Sequence, residues 1–274
     1  MFRRLILSSV SALVVAGSLG FVGAAGAAPL GHLSGLTWGS SALRAGRSSS
    51  PSTEKNPYYA GYYLESSASS GTVTSTITVP RVKSCTAATR AIVPGTGIVV
   101  TNSKTEWIDV AGVFVGCVKG HASYYPVLLE HNKEKNYSSV KIQAGDKVVM
   151  TVSTSAASSA LSVVDKTHKS ASKKLTGAGV TGVDSPAIFD WPWFTGGLLV
   201  GPEPSPARVP NFGNVQFSAS KFAGQPFDSS TNASNLVRYV RYAYNFVSGE
   251  VGKLQITANP FSSATSFKTI YKHS

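Results

Sequence analysis

The stretch AIFDWPWFTGG, residues 187–197, places an aspartate, Asp190, directly before two of the four tryptophans of the chain, Trp191 and Trp193. A carboxyl beside indoles suits a substrate cleft, where it activates a water for attack, and it equally suits the end of a packed core. Three further acids lie within apolar runs: Glu106, Asp109 and Glu130. A charge in such a run is costly to bury, so each implies a partner or a cleft, with pairing to a nearby Lys or Arg as the plain alternative. Strand alternation turns Trp107 and Asp109 to one face and Glu106 to the other.

Other chemistries are poorly served. No G-x-S-x-G elbow marks a serine, and no H-E-x-x-H pair marks a zinc site. His121 and His131 stand ten residues apart near a turn and suit surface or singly hydrogen-bonded roles. TGAGVTG, residues 176–182, lacks the lysine and helix of a phosphate loop and reads as a loop. No metal site and no cofactor are expected.

These residues belong to a chain with an export signature. Arg3 and Arg4 precede a long apolar run that ends at Ala25-Gly26-Ala27, the small-x-small pattern at which leaders are cut. Residues 1–27 are therefore expected as a signal peptide, and the mature protein as secreted, without a transmembrane segment. Residues 28–56, rich in Ser and Gly and broken by Pro51, read as a linker or short pro-segment. The formal charge is +12, and loss of Arg3 and Arg4 lowers it by only two. The cations are scattered rather than clustered, which argues against nucleic acid and allows an anionic cell-surface polymer as a partner. Cys85 and Cys117 in an oxidising compartment imply a disulfide.

From residue 57 the pattern is one of strands. TVTSTITVP at 72–80 puts Val73, Ile77 and Val79 on one face and threonines on the other. Comparable runs fall at 98–101, 106–115, 123–130, 138–143, 147–153, 160–165, 213–218, 236–247 and 253–258, with a tight turn at Ala144-Gly145-Asp146. No window carries a helical stripe. Residues 57–274 are thus expected to form one domain, a large antiparallel β-sandwich of two packed sheets. The run at 236–247 either completes a sheet or exposes Arg238 and Arg241 to a partner.

The order of these pieces resembles the eqolisins, secreted glutamic endopeptidases with a β-sandwich fold. NPYYAGYYLE (56–65) is similar to the family's N-W-A-G-Y opening, and VTSTITVPRV (73–82) to its G-x-W-x-V-P strand. EWIDVAG (106–112) resembles W-V-G-I-D-G, and SYYPVLLE (123–130) resembles Y-x-W-Y-E with Leu128-Leu129 replacing the aromatic pair before Glu130. IQAGDKVVMTVS (142–153) and VPNFGNVQFSAS (209–220) complete the set. In the family, a glutamate of an A-E-W motif is the general base and a glutamine of a Q-x-G motif stabilises the oxyanion. The resemblance puts Asp190 in the glutamate's place, through Phe189-Asp190-Trp191, and Phe114 in the glutamine's. A second register, over Ala187-Ile188-Phe189, leaves no acid. Loss of an oxyanion donor costs about 10²–10³ in rate, and withdrawing the carboxylate by a methylene costs on the order of a further 10².

Two functions follow from the resemblance. One is an acid-acting endopeptidase with Asp190 as base, helped by Asp109 if the two form a carboxylate pair with split pKa values. The other is an inactive relative that binds peptides or cell-surface polymers. Trp107, Trp191, Trp193, Tyr125 and Glu130 are the expected substrate-binding residues in either case, on a protein expected to be monomeric.

Overall fold

The computed structural model describes residues 51–56, 59–85, 91–102, 106–193, 211–229, 232, 235–244 and 251–272. The expected leader, and residues 28–50 of the expected linker, lie outside them. Sixteen strands are described. The first nine are β1 (Ser52–Asn56), β2 (Ala60–Leu64), β3 (Gly71–Thr78), β4 (Ala91–Thr101), β5 (Glu106–Val118), β6 (His121–Glu130), β7 (Lys133–Asn136), β8 (Lys147–Thr154) and β9 (Ser158–Asp165). Then follow β10 (Lys173–Ala178), β11 (Val183–Trp193), β12 (Asn214–Phe222), β13 (Gln225–Pro226), β14 (Leu236–Tyr244), β15 (Val251–Ala258) and β16 (Phe267–Tyr271). Among the described residues there is no α-helix, and 3-10 structure occurs at Lys169–Ala171 and at Asn235; no described helix is long and apolar enough to cross a membrane.

Hydrogen bonding runs through the order β10-β9-β8-β3-β12-β16-β15-β14-β2-β11-β4-β5-β6-β7, with β1 added parallel to β14 and β13 to β12. The path doubles back on itself. Strands β3, β8 and β9 of one layer pack against β4, β5 and β6 of the other, which gives the expected sandwich as two layers joined through β14–β16. Between them lies the main core, including Val73, Ile77, Met150, Val163 and Phe217 from one layer and Tyr62, Ile98, Val113, Leu128 and Ile188 from the other.

The two layers differ in how legible they are. In β3, alternate residues Val73, Ser75 and Ile77 point inward while threonines face out. Those threonines pair across strands, Thr72 with Ser153 at 2.8 Å and Thr74 with Thr151 at 3.3 Å, as half-exposed antiparallel sheets favour. By contrast, β4 is buried from Ala91 through Val100 on both faces. Its run lacks alternation and carries Pro94, which normally argues against an interior strand. Pro94 sits where the ladder to β5 is interrupted between Ile92 and Gly95. Only 98–101 of this strand showed in the sequence pattern.

Three local expectations need correction. Residues 138–143 are not a strand: Val140 N–H donates to Tyr137 O at 2.8 Å in a turn, and buried Ile142 mimicked alternation. The supposed loop at 176–182 begins inside β10, paired with β9. Residues 236–247 do complete a sheet as β14, and Arg241, expected as exposed in the partner-surface alternative, is 2% exposed. In addition, Ser52–Asn56, the end of the expected linker, pairs with Val237–Arg241.

The disulfide joins Cys85 to Cys117 across a separation of 32 residues. Such a closure stabilises by about 3–4 kcal/mol through the unfolded chain. Replacing both cysteines with serine is expected to lower the unfolding free energy by about that amount, read as a lower urea midpoint with an intact far-ultraviolet β spectrum.

Candidate functional site

Strand β11 carries the opening stretch and pairs on both sides, with β2 and with β4. Its alternation therefore divides its side chains between two buried faces. Ile188 packs in the core between the layers, whereas Ala187, Phe189 and Trp191 belong to a second apolar cluster on the opposite face.

Asp190 lies on the interior side and is 0% exposed. Its Oδ2 accepts a hydrogen bond from the Thr269 hydroxyl of β16, and its Oδ1 has no hydrogen-bond partner. Burial raises its pKa from 3.8 to about 7, against a smaller lowering by Thr269.

The opposite face is aromatic. Phe189 meets Trp191 edge-on at 5.6 Å and Tyr59 at 5.6 Å, and Tyr59 meets Tyr239 at 5.1 Å. Phe114, in the place where the resemblance expects an oxyanion donor, stacks on Tyr125 at 4.4 Å with ring planes 7° apart. Gly61, at φ 154°, leaves room for the β11 backbone: a Cβ there would meet Ile188 O at 2.1 Å. This face is packed, with Trp191 only 2% exposed. Tyr125 and the carboxylates Glu106 and Glu134 mark its half-exposed margins. Burial raises the pKa of Glu106.

The residues expected to line one cleft thus divide between two faces. Trp191 and Tyr125 share the aromatic face. By alternation Trp107 and Glu130 turn to the interior side, where Glu130 lies against Gly177 of β10. The side chain of Trp193 lies outside the described residues.

The Asp109–Asp190 pair does not form. Asp190 is opposite Pro94 and Asp109 opposite Ile98, on the two strands flanking β4. Four residues along and two strands across put them about 16 Å apart. Asp109 instead accepts from His131 N–H at 2.6 Å, with His131 Nε2 3.9 Å from its other oxygen. Its pKa is raised by burial first, lowered by that hydrogen bond and by the His131 charge, then raised by Glu130 and Asp184. Asp184, buried on the interior side of β11, accepts from the Thr154 hydroxyl and is raised by burial. Sequence reading missed Asp184 because TGVDSP resembles a loop. It missed Thr269 and Thr154 because each is remote in sequence from its acid.

One further group went unseen. Arg241 is buried with Nε and Nη1 lacking hydrogen-bond partners, and burial lowers its pKa to about 9.

The elevated carboxyls make stability depend on pH with a defined sign. Asp190 holds its proton more tightly folded than unfolded, so its contribution is complete below pH 3.8 and is lost as pH rises toward about 7. Three units correspond to about 4 kcal/mol. Asp190→Asn is expected to be less sensitive than wild type between pH 4 and 7.5 and the more stable of the two above pH 7. Urea melts of the pair isolate this effect from the general self-repulsion of a basic chain in acid.

A family model described as the peptidase A4 family matches residues 57–250. Among solved structures, the chain is similar to scytalido-glutamic peptidase bound to a transition state analog inhibitor, with a TM-score of 0.53 and 12% identity over 80% of this chain and 100% of that one. It is also similar to aspergilloglutamic peptidase from Aspergillus niger, with a TM-score of 0.44 and 18% identity over 67% of this chain and 99% of that one. No curated protein matches the chain. The family match spans both layers of the sandwich, from the approach to β2 through β14, and the chain belongs to the peptidase A4 family.

Proposed function

We propose that this chain is an exported member of its family that binds extended peptides or anionic cell-surface polymers and does not hydrolyse them by the family's glutamate–glutamine chemistry. One observation carries the reading: the acid nearest the indoles, Asp190, faces the core between the layers and a threonine hydroxyl, away from the aromatic face. A general base must reach a water beside the scissile carbonyl, and a carboxyl that is 0% exposed does not. Phe114, stacked on Tyr125, supplies no hydrogen bond to an oxyanion. The net charge of +12 supports attraction to acidic polymers, weakened by salt.

A second reading has its own support. At one end of the interior the charges of half-exposed Glu130 and of Asp184 add to burial in raising the pKa of Asp109, which lies beside His131. Carboxyls whose pKa values are raised by burial suit an acid–base pair.

The test is incubation of a denatured protein with purified chain from pH 2 to 7, alongside Asp190→Ala and Asp109→Ala. No cleavage is expected from folded wild type, together with salt-sensitive quenching of tryptophan fluorescence by an anionic wall polymer or acidic peptide. Acid cleavage abolished by Asp190→Ala would overturn the non-hydrolytic reading. Cleavage that survives Asp190→Ala and disappears in Asp109→Ala would favour the second.

A further inference from the structure

At the other layer's edge, the turn before β8 meets the end of β9. Asp146 closes the Ala144-Gly145-Asp146 turn, which is clamped to β3 by Val79 N–H donating to Asp146 O at 2.9 Å and Gly145 N–H donating to Val79 O at 2.8 Å. Asp165 ends β9 opposite Val148, and His168 precedes the 3-10 turn. The available ligand atoms of these three residues all lie within 4.8 Å of one another.

Each carboxylate is held by one oxygen and presents the other. Asp146 Oδ2 accepts from Gln143 N–H at 2.7 Å, leaving Oδ1 at 3.1 Å from His168 Nδ1. Asp165 Oδ1 accepts from Thr167 N–H at 2.7 Å and His168 N–H at 2.8 Å. Its Oδ2 is buried, has no hydrogen-bond partner, and points into the group at 3.9 Å from the same His168 Nδ1. Asp165 is 0% exposed, so this oxygen has no recourse to water. Two carboxylates therefore face one imidazole whose nitrogen serves one of them. Lys147, Lys166 and Lys169 are exposed and do not fill the gap.

We propose that Asp146, Asp165 and His168 form a binding site for a divalent cation of the zinc class. Bonds of about 2.0–2.2 Å to nitrogen and oxygen put neighbouring ligand atoms roughly 3–3.6 Å apart, and His168 Nδ1 lies 3.1 and 3.9 Å from the two carboxylate oxygens, so a small inward shift of Asp165 and His168 closes the set. The backbone donors on the far oxygens are the supports that orient ligating carboxylates. The imidazole favours zinc over calcium, which takes six or more oxygens. The His168 side chain is 48% exposed, so an ion can enter from solvent and retain water in its remaining positions. The bound ion would tie the turn before β8 to the β9 terminus.

The experiment is thermal unfolding of the purified, chelator-treated chain at pH 7.5 with added zinc, beside His168→Ala and Asp165→Asn. His168→Ala changes a half-exposed side chain, and Asp165→Asn keeps an oxygen for the Thr167 and His168 amides. Zinc at about 100 times its dissociation constant is expected to raise the wild-type Tm by about 5–10 °C. The shift should be absent from both variants, with one zinc bound per chain by titration. No shift in wild type, or an equal shift in His168→Ala, would overturn the site. An equal shift with calcium would overturn the imidazole as a ligand.

Discussion

The structure depends on burying β4, β5 and β11 on both faces. A strand in that position has no solvent side, so every polar group on it must find a partner inside the protein. Asp190 and Asp184 meet that demand with one oxygen each, through threonine hydroxyls on β16 and β8, and leave the other oxygen without a hydrogen bond, which is why burial raises both; the aromatic residues fill the other face. The indole and the carboxyl that stand side by side in the sequence are thereby sent to opposite sides of one sheet.

The chain has the β-sandwich scaffold of its family. The positions where a base and an oxyanion donor are expected hold a sealed acid and a stacked phenyl ring. The Phe114–Tyr125 stack and the Phe189–Trp191 contact contribute apolar burial on the aromatic face.

The electrostatics have the same character. A strongly basic chain keeps five aspartates inside, and burial raises Asp109, Asp184 and Asp190 among them. Desolvation dominates each shift, and the hydroxyl or amide partner only moderates it. Such groups favour the folded state in mild acid, whether or not any of them touches a ligand.

Composition and alternation determined much by themselves. The threonine-faced strands of the first layer, the absence of helical stripes, the pairing of Cys85 with Cys117 and the Gly145 turn at φ 98° were all readable, because each depends on residues near in sequence or few in number. The family was readable from the order of short motifs. The second layer hid its strands, since a strand buried on both faces carries no alternation and Pro94 concealed β4. Only tertiary structure decided which face each acid takes and what it meets. A side chain's partner across a sandwich is set by register and layer packing between segments far apart in the chain. Thr269 lies 79 residues from Asp190, and no local pattern records that contact.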